Sequence, residues 1–194
     1  MSKWGNEEIE TLEAINSLSG DVLDVAAGDG RFINKLLEVS DSVTAIDIDL
    51  KELELLKANY SSDKIITIVV DITKKFPFED SSFDGVFCTG TLHLFNLETL
   101  KGILSEIKRV LKTNGKIVLD FATDIKRIDK AGNEVTFDGE GNYNTEESIL
   151  FFKEVFKDFS LKIETYTFEE DNLNDETGYK KITGYFLIIS GTKD

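Results

Sequence analysis

One proline, one cysteine and one histidine stand among 194 residues. The single cysteine, Cys88, precludes an intrachain disulfide. On an apolar segment it reads as an inert core thiol rather than a nucleophile. Basic residues are also scarce: 22 Lys and Arg face 37 Asp and Glu, for a net charge of −15. Such a surface opposes phosphate backbones and anionic membranes, so nucleic acid is disfavoured as a substrate. No apolar run is long enough to span a bilayer and no signal peptide is recognisable, from which a cytoplasmic location is expected. Nor does any linker, repeat or low-complexity tract divide the chain. With 41% hydrophobic residues, one domain over residues 1–194 can bury a full core.

What is present is an alternation of strands and helices. Strands are expected near residues 21–26, 42–47, 64–70, 83–88 and 116–121, with helices near 31–39, 50–59 and 97–111. That order indicates a doubly wound α/β fold around a mostly parallel sheet, with helices on both faces. In the clearest helix Leu100, Ile103, Leu104, Ile107, Val110 and Leu111 share a face, Asn96 caps the start, and Asn114-Gly115 ends it. Further on, Asn144 with Glu147 caps a helix carrying Ile149, Phe152, Val155, Phe156 and Phe159, and two strands follow over 161–168 and 182–189. Residues 130–133 read as a hairpin turn.

The stretch from Val22 to Phe32 joins an apolar strand, a carboxylate, a glycine turn and a helix start. Gly28 and Gly30 let the backbone approach a ligand or take positive φ. A dinucleotide would place its pyrophosphate on the free N–H groups opening that helix, where negative charge is favoured in the ligand and not in the loop. Asp24 and Asp29 oppose that arrangement, and the third glycine of G-x-G-x-x-G falls on Ile33. Asp24 suits instead a ligand with an ammonium group beside a small carboxylate, as S-adenosylmethionine has. Asp47 ends the next strand about twenty positions on, where a carboxylate accepts from ribose hydroxyls, and Ile48 can stack on adenine. Asp49 reads as the cap of the following helix, with Glu52 completing a capping box.

These residues resemble a known family, the class I S-adenosylmethionine-dependent methyltransferases. Asp24-Val25-Ala26-Ala27-Gly28-Asp29-Gly30 follows that family's D-x-G-x-G-x-G with Ala26 at the first glycine, as in the branch of ubiquinone and menaquinone biosynthesis enzymes. Asp71-Ile72 and the segment Pro77-Phe78-Glu79-Asp80-Ser81-Ser82-Phe83-Asp84 resemble the family's third element. The resemblance implies a Rossmann-like, seven-stranded sheet closed by an antiparallel C-terminal pair. It implies that Asp71 accepts from the adenine amino group, that Ile72 offers its backbone N–H to the ring, and that Thr89 and the Cys88 carbonyl meet the methionine end.

His93 matches the first position of a histidine-containing segment in related enzymes and is a candidate base, weighed against plain packing of Leu92-His93-Leu94-Phe95. Cys88-Thr89-Gly90-Thr91 is unlike the N-P-P-Y segment of base N6 methyltransferases, and no Pro-Cys nucleophile exists for cytosine. A small-molecule acceptor is therefore expected, with residues 123–143 as a candidate substrate-selecting insertion. Trp4 and the short helix around Ile9, Leu12 and Ile15 read either as part of a lid or as a helix covering the sheet. Two other readings stay open: a non-catalytic cofactor sensor or partner subunit of the same fold, and a nicotinamide oxidoreductase.

Overall fold

The computed structural model describes residues 8–136, 141–171 and 178–194. Five parallel strands come first: β1 (Asp21–Val25), β2 (Ser42–Asp47), β3 (Ile65–Val69), β4 (Phe83–Cys88) and β5 (Leu111–Ile128). The short β6 (Glu134–Val135) pairs with β5, and β7 (Phe159–Asp171) and β8 (Lys181–Lys193) complete the sheet. Its order is β3-β2-β1-β4-β5-β8-β7, with β8 antiparallel to both neighbours. This is the expected doubly wound, seven-stranded sheet with an antiparallel C-terminal pair; the two-residue β6 is an addition to it.

Alternation along the parallel strands fills two cores. Leu23, Ile46, Val86, Cys88, Ile117 and Leu119 point to one face, against α4 (Leu97–Val110) and α5 (Thr145–Val155). Val22, Val43, Ala45, Phe87 and Val118 point to the other, against α1 (Ile9–Ile15), α2 (Ile33–Val39) and α3 (Leu50–Asn59). Strands apolar on both faces are what a sheet covered on both sides requires. Trp4 lies outside the described residues, whereas α1 packs on α2, β5 and β8 with Ile15 fully buried, which is the covering role.

Caps agree with the sequence at Asn96, which accepts the Thr99 N–H at 3.0 Å, and at Asn144, which accepts those of Glu146 and Glu147. Asp49 caps α3 through the Lys51 N–H at 2.9 Å, but its own N–H goes to Asp47 Oδ1, the role expected of Glu52. Boundaries differ in three places. The helix α4 stops at Val110 rather than at Asn114-Gly115, because the Lys193 ammonium caps the carbonyls of Lys108 and Leu111 at 2.8 Å each. Asn114, at φ 62°, instead turns a bulge between the Phe83–Leu111 and Gly85–Lys116 pairs. Helix α5 ends before Phe156, so Phe159 opens β7.

The third difference concerns residues 123–143. The first six residues of that stretch, 123–128, continue β5 and pair with β8 as far as Ile128. The strand kinks at Asp124, which adopts φ 47°. A carboxylate–hydroxyl knot holds the kink: Asp124 Oδ2 accepts the Thr145 hydroxyl at 2.5 Å and the Thr145 N–H at 3.0 Å. Beyond Ile128 a turn closed by Asp129 on Asn133 leads into β6, as the hairpin reading of 130–133 expects.

Candidate functional site

A cavity of about 1080 Å³ opens along the carboxyl ends of the parallel strands, the place where open α/β sheets bind ligands. Asp24, Ala26, Gly28, Asp47, Ile48, Asp71, Ile72, Thr89 and His93 all line it. Cys88 and Gly30 do not. Cys88, expected to contribute its carbonyl, ends β4 with its side chain fully buried, and burial pushes the thiol well above its ordinary range. Gly30, at φ 87°, serves packing: a Cβ there would come within 2.9 Å of Ile33 and Leu56.

The loop after β1 is built from left-handed backbone. Gly28 takes φ 55°, and Ala26 takes φ 58° where the family has glycine. An L-residue there is strained by about 1–2 kcal/mol. Asp47 holds the loop from the next strand, since its Oδ2 accepts the Gly28 N–H and its Oδ1 the Asp49 N–H, both at 2.9 Å. Each carboxylate oxygen retains a second lone pair for a ligand. Ile48, beside it, is 68% exposed on the cavity wall, an unusual setting for isoleucine and one suited to a planar ring. Asp71 accepts the Thr73 N–H and hydroxyl on Oδ1 at 2.9 and 2.6 Å, and these bonds hold its carboxyl below the ordinary range.

Asp24 is 4% exposed and accepts no hydrogen bond among the described residues. Burial pushes its carboxyl up to about 7; the Asp47 charge adds to the rise and Arg31 opposes it. A buried carboxylate facing a cavity without a hydrogen-bond partner is what a site for an ammonium group looks like. Two neighbours were missed by sequence reasoning. Asp120, in β5, is 5% exposed and lines the same cavity, with its carboxyl also pushed up to about 7, again by burial first. It accepts the Gly90 N–H at 2.8 Å. Arg31 leans on the Phe32 ring and pairs with Glu8 at 3.2 Å. A lone acid on a β-strand and an arginine after the glycines offered no spacing signal; only the sheet order brings them to one cavity.

His93 sits on a short 3₁₀ turn, Leu92–Leu94, just past β4. Burial, then the Arg127 charge, lowers its imidazole to about 4, so the ring is neutral at physiological pH. Its Nδ1 is buried without a hydrogen-bond partner among the described residues. Beyond it the cavity passes Phe95 and Ile125 to a wall made by one face of β5, β8 and β7: Ala122, Arg127, Ile182, Phe186, Phe168 and Glu170. Phe168 and Phe186 stack there at 4.5 Å, and the Arg127 guanidinium lies 5.6 Å from the Tyr179 ring. The segment from Phe76 to Asp80 is a structural strap. Arg109 of α4 donates to the carbonyls of Phe76 and Phe78 and to Asp80, while Glu106 accepts the Phe76 N–H at 2.7 Å.

Comparison with known proteins agrees with this architecture. A family model described as a methyltransferase domain matches residues 23–119, half of the chain. The chain is 28% identical to the ubiquinone/menaquinone biosynthesis C-methyltransferase UbiE of Rhizobium rhizogenes, over 98% of this chain and 78% of that one. It is 32% identical to a demethylmenaquinone methyltransferase of Clavibacter sepedonicus, over 61% of this chain and 50% of the other. Among solved structures, TehB from Haemophilus influenzae superposes with a TM-score of 0.74 at 19% identity, covering 97% of this chain and 63% of TehB. A methyltransferase structure from Bacillus halodurans gives 0.73 at 18% identity, covering 96% and 98%; at these identities the likeness concerns the fold. The sensor and nicotinamide readings are thereby set aside. With the loop, the strand-end carboxylates and the family match in agreement, the chain belongs to the methyltransferase domain family, as a class I enzyme that uses S-adenosylmethionine.

Proposed function

We propose that the protein methylates oxygen, nitrogen or carbon of a small-molecule acceptor bound between His93 and the aromatic wall. The observation that carries this reading is the continuity of the cavity. It runs from Asp71 and Asp47, past Asp24 and Thr89, to His93, Arg127 and the Phe168–Phe186 pair. In this reading Asp71 Oδ2 and the Ile72 N–H would meet adenine, Ile48 would lie against its ring, and Asp47 would accept from the ribose hydroxyls. Asp24 would take the ammonium group, and Thr89 would lie at the methionine end. The cofactor supplies an electrophilic methyl carbon, so the chain mainly positions the acceptor in line and excludes water. Orientation of this kind is worth on the order of 7 kcal/mol in favourable cases.

His93 would take the acceptor's proton. The imidazole is neutral, and its Nδ1 lacks a partner among the described residues. An imidazole lowered to about 4 is a weak base, matched to a hydroxyl whose proton becomes strongly acidic as the bond to carbon forms. Two curated relatives named above are, by their names, methyltransferases of ubiquinone/menaquinone biosynthesis and of demethylmenaquinone, and an aromatic acceptor of that kind fits the aromatic wall.

Two measurements test the reading. Titration calorimetry with S-adenosylhomocysteine, S-adenosylmethionine and NADH should show micromolar binding of the sulfur pair and none of NADH. A transfer assay over phenolic, enolic and amine acceptors should then find turnover that His93→Asn lowers about 10²-fold with unchanged cofactor affinity. Acid inhibition of kcat should set in near pH 4, not near 6.5, since the imidazole is lowered to about 4. Full activity in His93→Asn would remove the base assignment.

A further inference from the structure

Asp24 is the penultimate residue of β1 and Asp120 lies in β5, with the end of β4 and its continuation Thr89-Gly90 running between them. Both carboxylates are more than nine-tenths buried and both line the cavity. They sit on the same side of the sheet, in phase with Val22 and Val118 of the core beneath α1, α2 and α3. Asp24 accepts no hydrogen bond among the described residues, while Asp120 takes the Gly90 N–H on Oδ1 at 2.8 Å. The Arg31 guanidinium acts electrostatically on both. The local inventory is thus Asp24, Asp120 and the Arg31–Glu8 ion pair, in which Glu8 adds a further negative charge beside Asp120.

The methionine end of S-adenosylmethionine carries two positive groups, an α-ammonium and a sulfonium, and one carboxylate, which answers an excess of negative charge in the cavity. Asp24, under the glycine loop, faces the ammonium in the orientation proposed above, on which this inference rests. Arg31, at the start of the turn into α2 and already paired with Glu8, is the cation that the ligand carboxylate would share. Asp120 stands one strand farther toward the acceptor wall, on the side where the sulfur and its methyl group must lie if the acceptor is to be reached. Asp120 already takes the Gly90 N–H, so a cation without hydrogen-bond donors can still stabilise it by Coulombic attraction in a low dielectric.

We propose that Asp120 recognises the sulfonium of S-adenosylmethionine and distinguishes it from S-adenosylhomocysteine, whose sulfur is neutral. When the methyl–sulfur bond breaks, its electron pair stays on sulfur, and the positive charge leaves with the methyl group and is shed as the acceptor's proton. The attraction to Asp120 ends with that step, so the same carboxylate that holds the donor does not retain the spent cofactor.

Calorimetry with the two ligands at pH 8 separates this role from a merely structural one. Asp120→Asn keeps an oxygen for the Gly90 N–H and removes the charge. It should weaken S-adenosylmethionine by about tenfold or more while S-adenosylhomocysteine changes by less than about twofold. Asp24→Asn should weaken both ligands alike, because both carry the ammonium. Equal losses for the two ligands in Asp120→Asn, or no loss for either, would overturn the proposal and leave the cofactor reading standing. Failure of the unmodified protein to bind either ligand would instead bring down the orientation on which the proposal rests. If the Asn variant does not fold, the unmodified protein titrated at pH 6 and 8 gives the same information. Protonating Asp120 should weaken S-adenosylmethionine more than S-adenosylhomocysteine, and a pH effect equal for both would again overturn it.

Discussion

The residues up to Thr89 and those after Phe121 build opposite ends of one cavity by different means, with His93 and Asp120 between them. In the first region each contact comes from the end of a parallel strand: Asp24 on β1, Asp47 on β2, Asp71 just past β3, Thr89 just past β4. Parallel strands all deliver their carboxyl ends to one edge, so a single side chain per strand suffices. In the second region the wall is one face of an antiparallel ribbon. Arg127 pairs with Ile182 and Ile182 with Glu170, while Ala122 pairs with Phe186. Residues that share the wall therefore come from three strands far apart in the chain. The lesson is that the end proposed for the cofactor is written in short local segments, and the end proposed for the acceptor in the register between distant ones.

Breaking the two ends separately should produce separate losses. The largest is expected from Asp47→Ala, which removes the carboxylate that holds the Gly28 and Asp49 N–H groups and would meet the ribose. Affinity for S-adenosylhomocysteine should fall by roughly 1.5–3 kcal/mol by calorimetry, the range for hydrogen bonds to a charged group. Phe186→Ala, in the wall proposed to hold the acceptor, should raise the acceptor KM about tenfold through lost stacking and burial. Its S-adenosylhomocysteine affinity should not move. A variant that moved both would join the two ends into one energetic unit and erase the comparison.

Smaller effects sharpen the account of the cofactor end. The folded-state pKa of Asp24, about 7, lies above its ordinary 3.8, so the folded protein binds a proton that the unfolded chain does not. The stability this contributes is complete below about pH 4 and is lost as pH rises through 7. Asp24→Asn should therefore raise the melting temperature of the ligand-free protein at pH 8, by about 1–2 kcal/mol of stability, and change it little at pH 5. The same variant should bind cofactor poorly, a trade of stability for function. The smallest effect is expected from Ala26→Gly, which relieves the left-handed alanine at φ 58°. Chemical denaturation should show a gain of up to about 1 kcal/mol, with glycine's extra unfolded-state entropy offsetting part of the relief.

Much of the local geometry at the proposed cofactor end was legible because its signals are local. Ala26 and Gly28 take the left-handed backbone that the loop motif implies, and Asp47 follows at the spacing of a ribose-binding acid. Asp49, Asn96 and Asn144 cap the helices they precede, since a cap is decided within four residues. Gly30 looked like ligand-facing backbone but clears space for Ile33 and Leu56, contacts no pattern within the loop announces. Asp120 looked like the unremarkable end of a structural strand. Its place in the cavity depends on β4 lying between β1 and β5, which is a property of the sheet order. The stretch after Thr123 was harder still. Its continuation as strand rests on Asp124 engaging Thr145 some twenty residues away and on Gly184 leaving room for the Phe168 ring.

Taken by itself, the sequence determined the doubly wound class, the two-faced apolar strands, the helix caps and the carboxylates that end the parallel strands. All of these follow from periodicity and from backbone requirements within a few residues. Only the tertiary structure decided that Arg31, Asp24 and Asp120 share one buried space, that Cys88 stands outside it, and that Arg127, Phe168 and Phe186 form one wall. Those facts depend on strand order, on register across the antiparallel ribbon and on how far burial strips water from a charge. Such quantities are set by long-range packing, which no window of neighbouring residues contains.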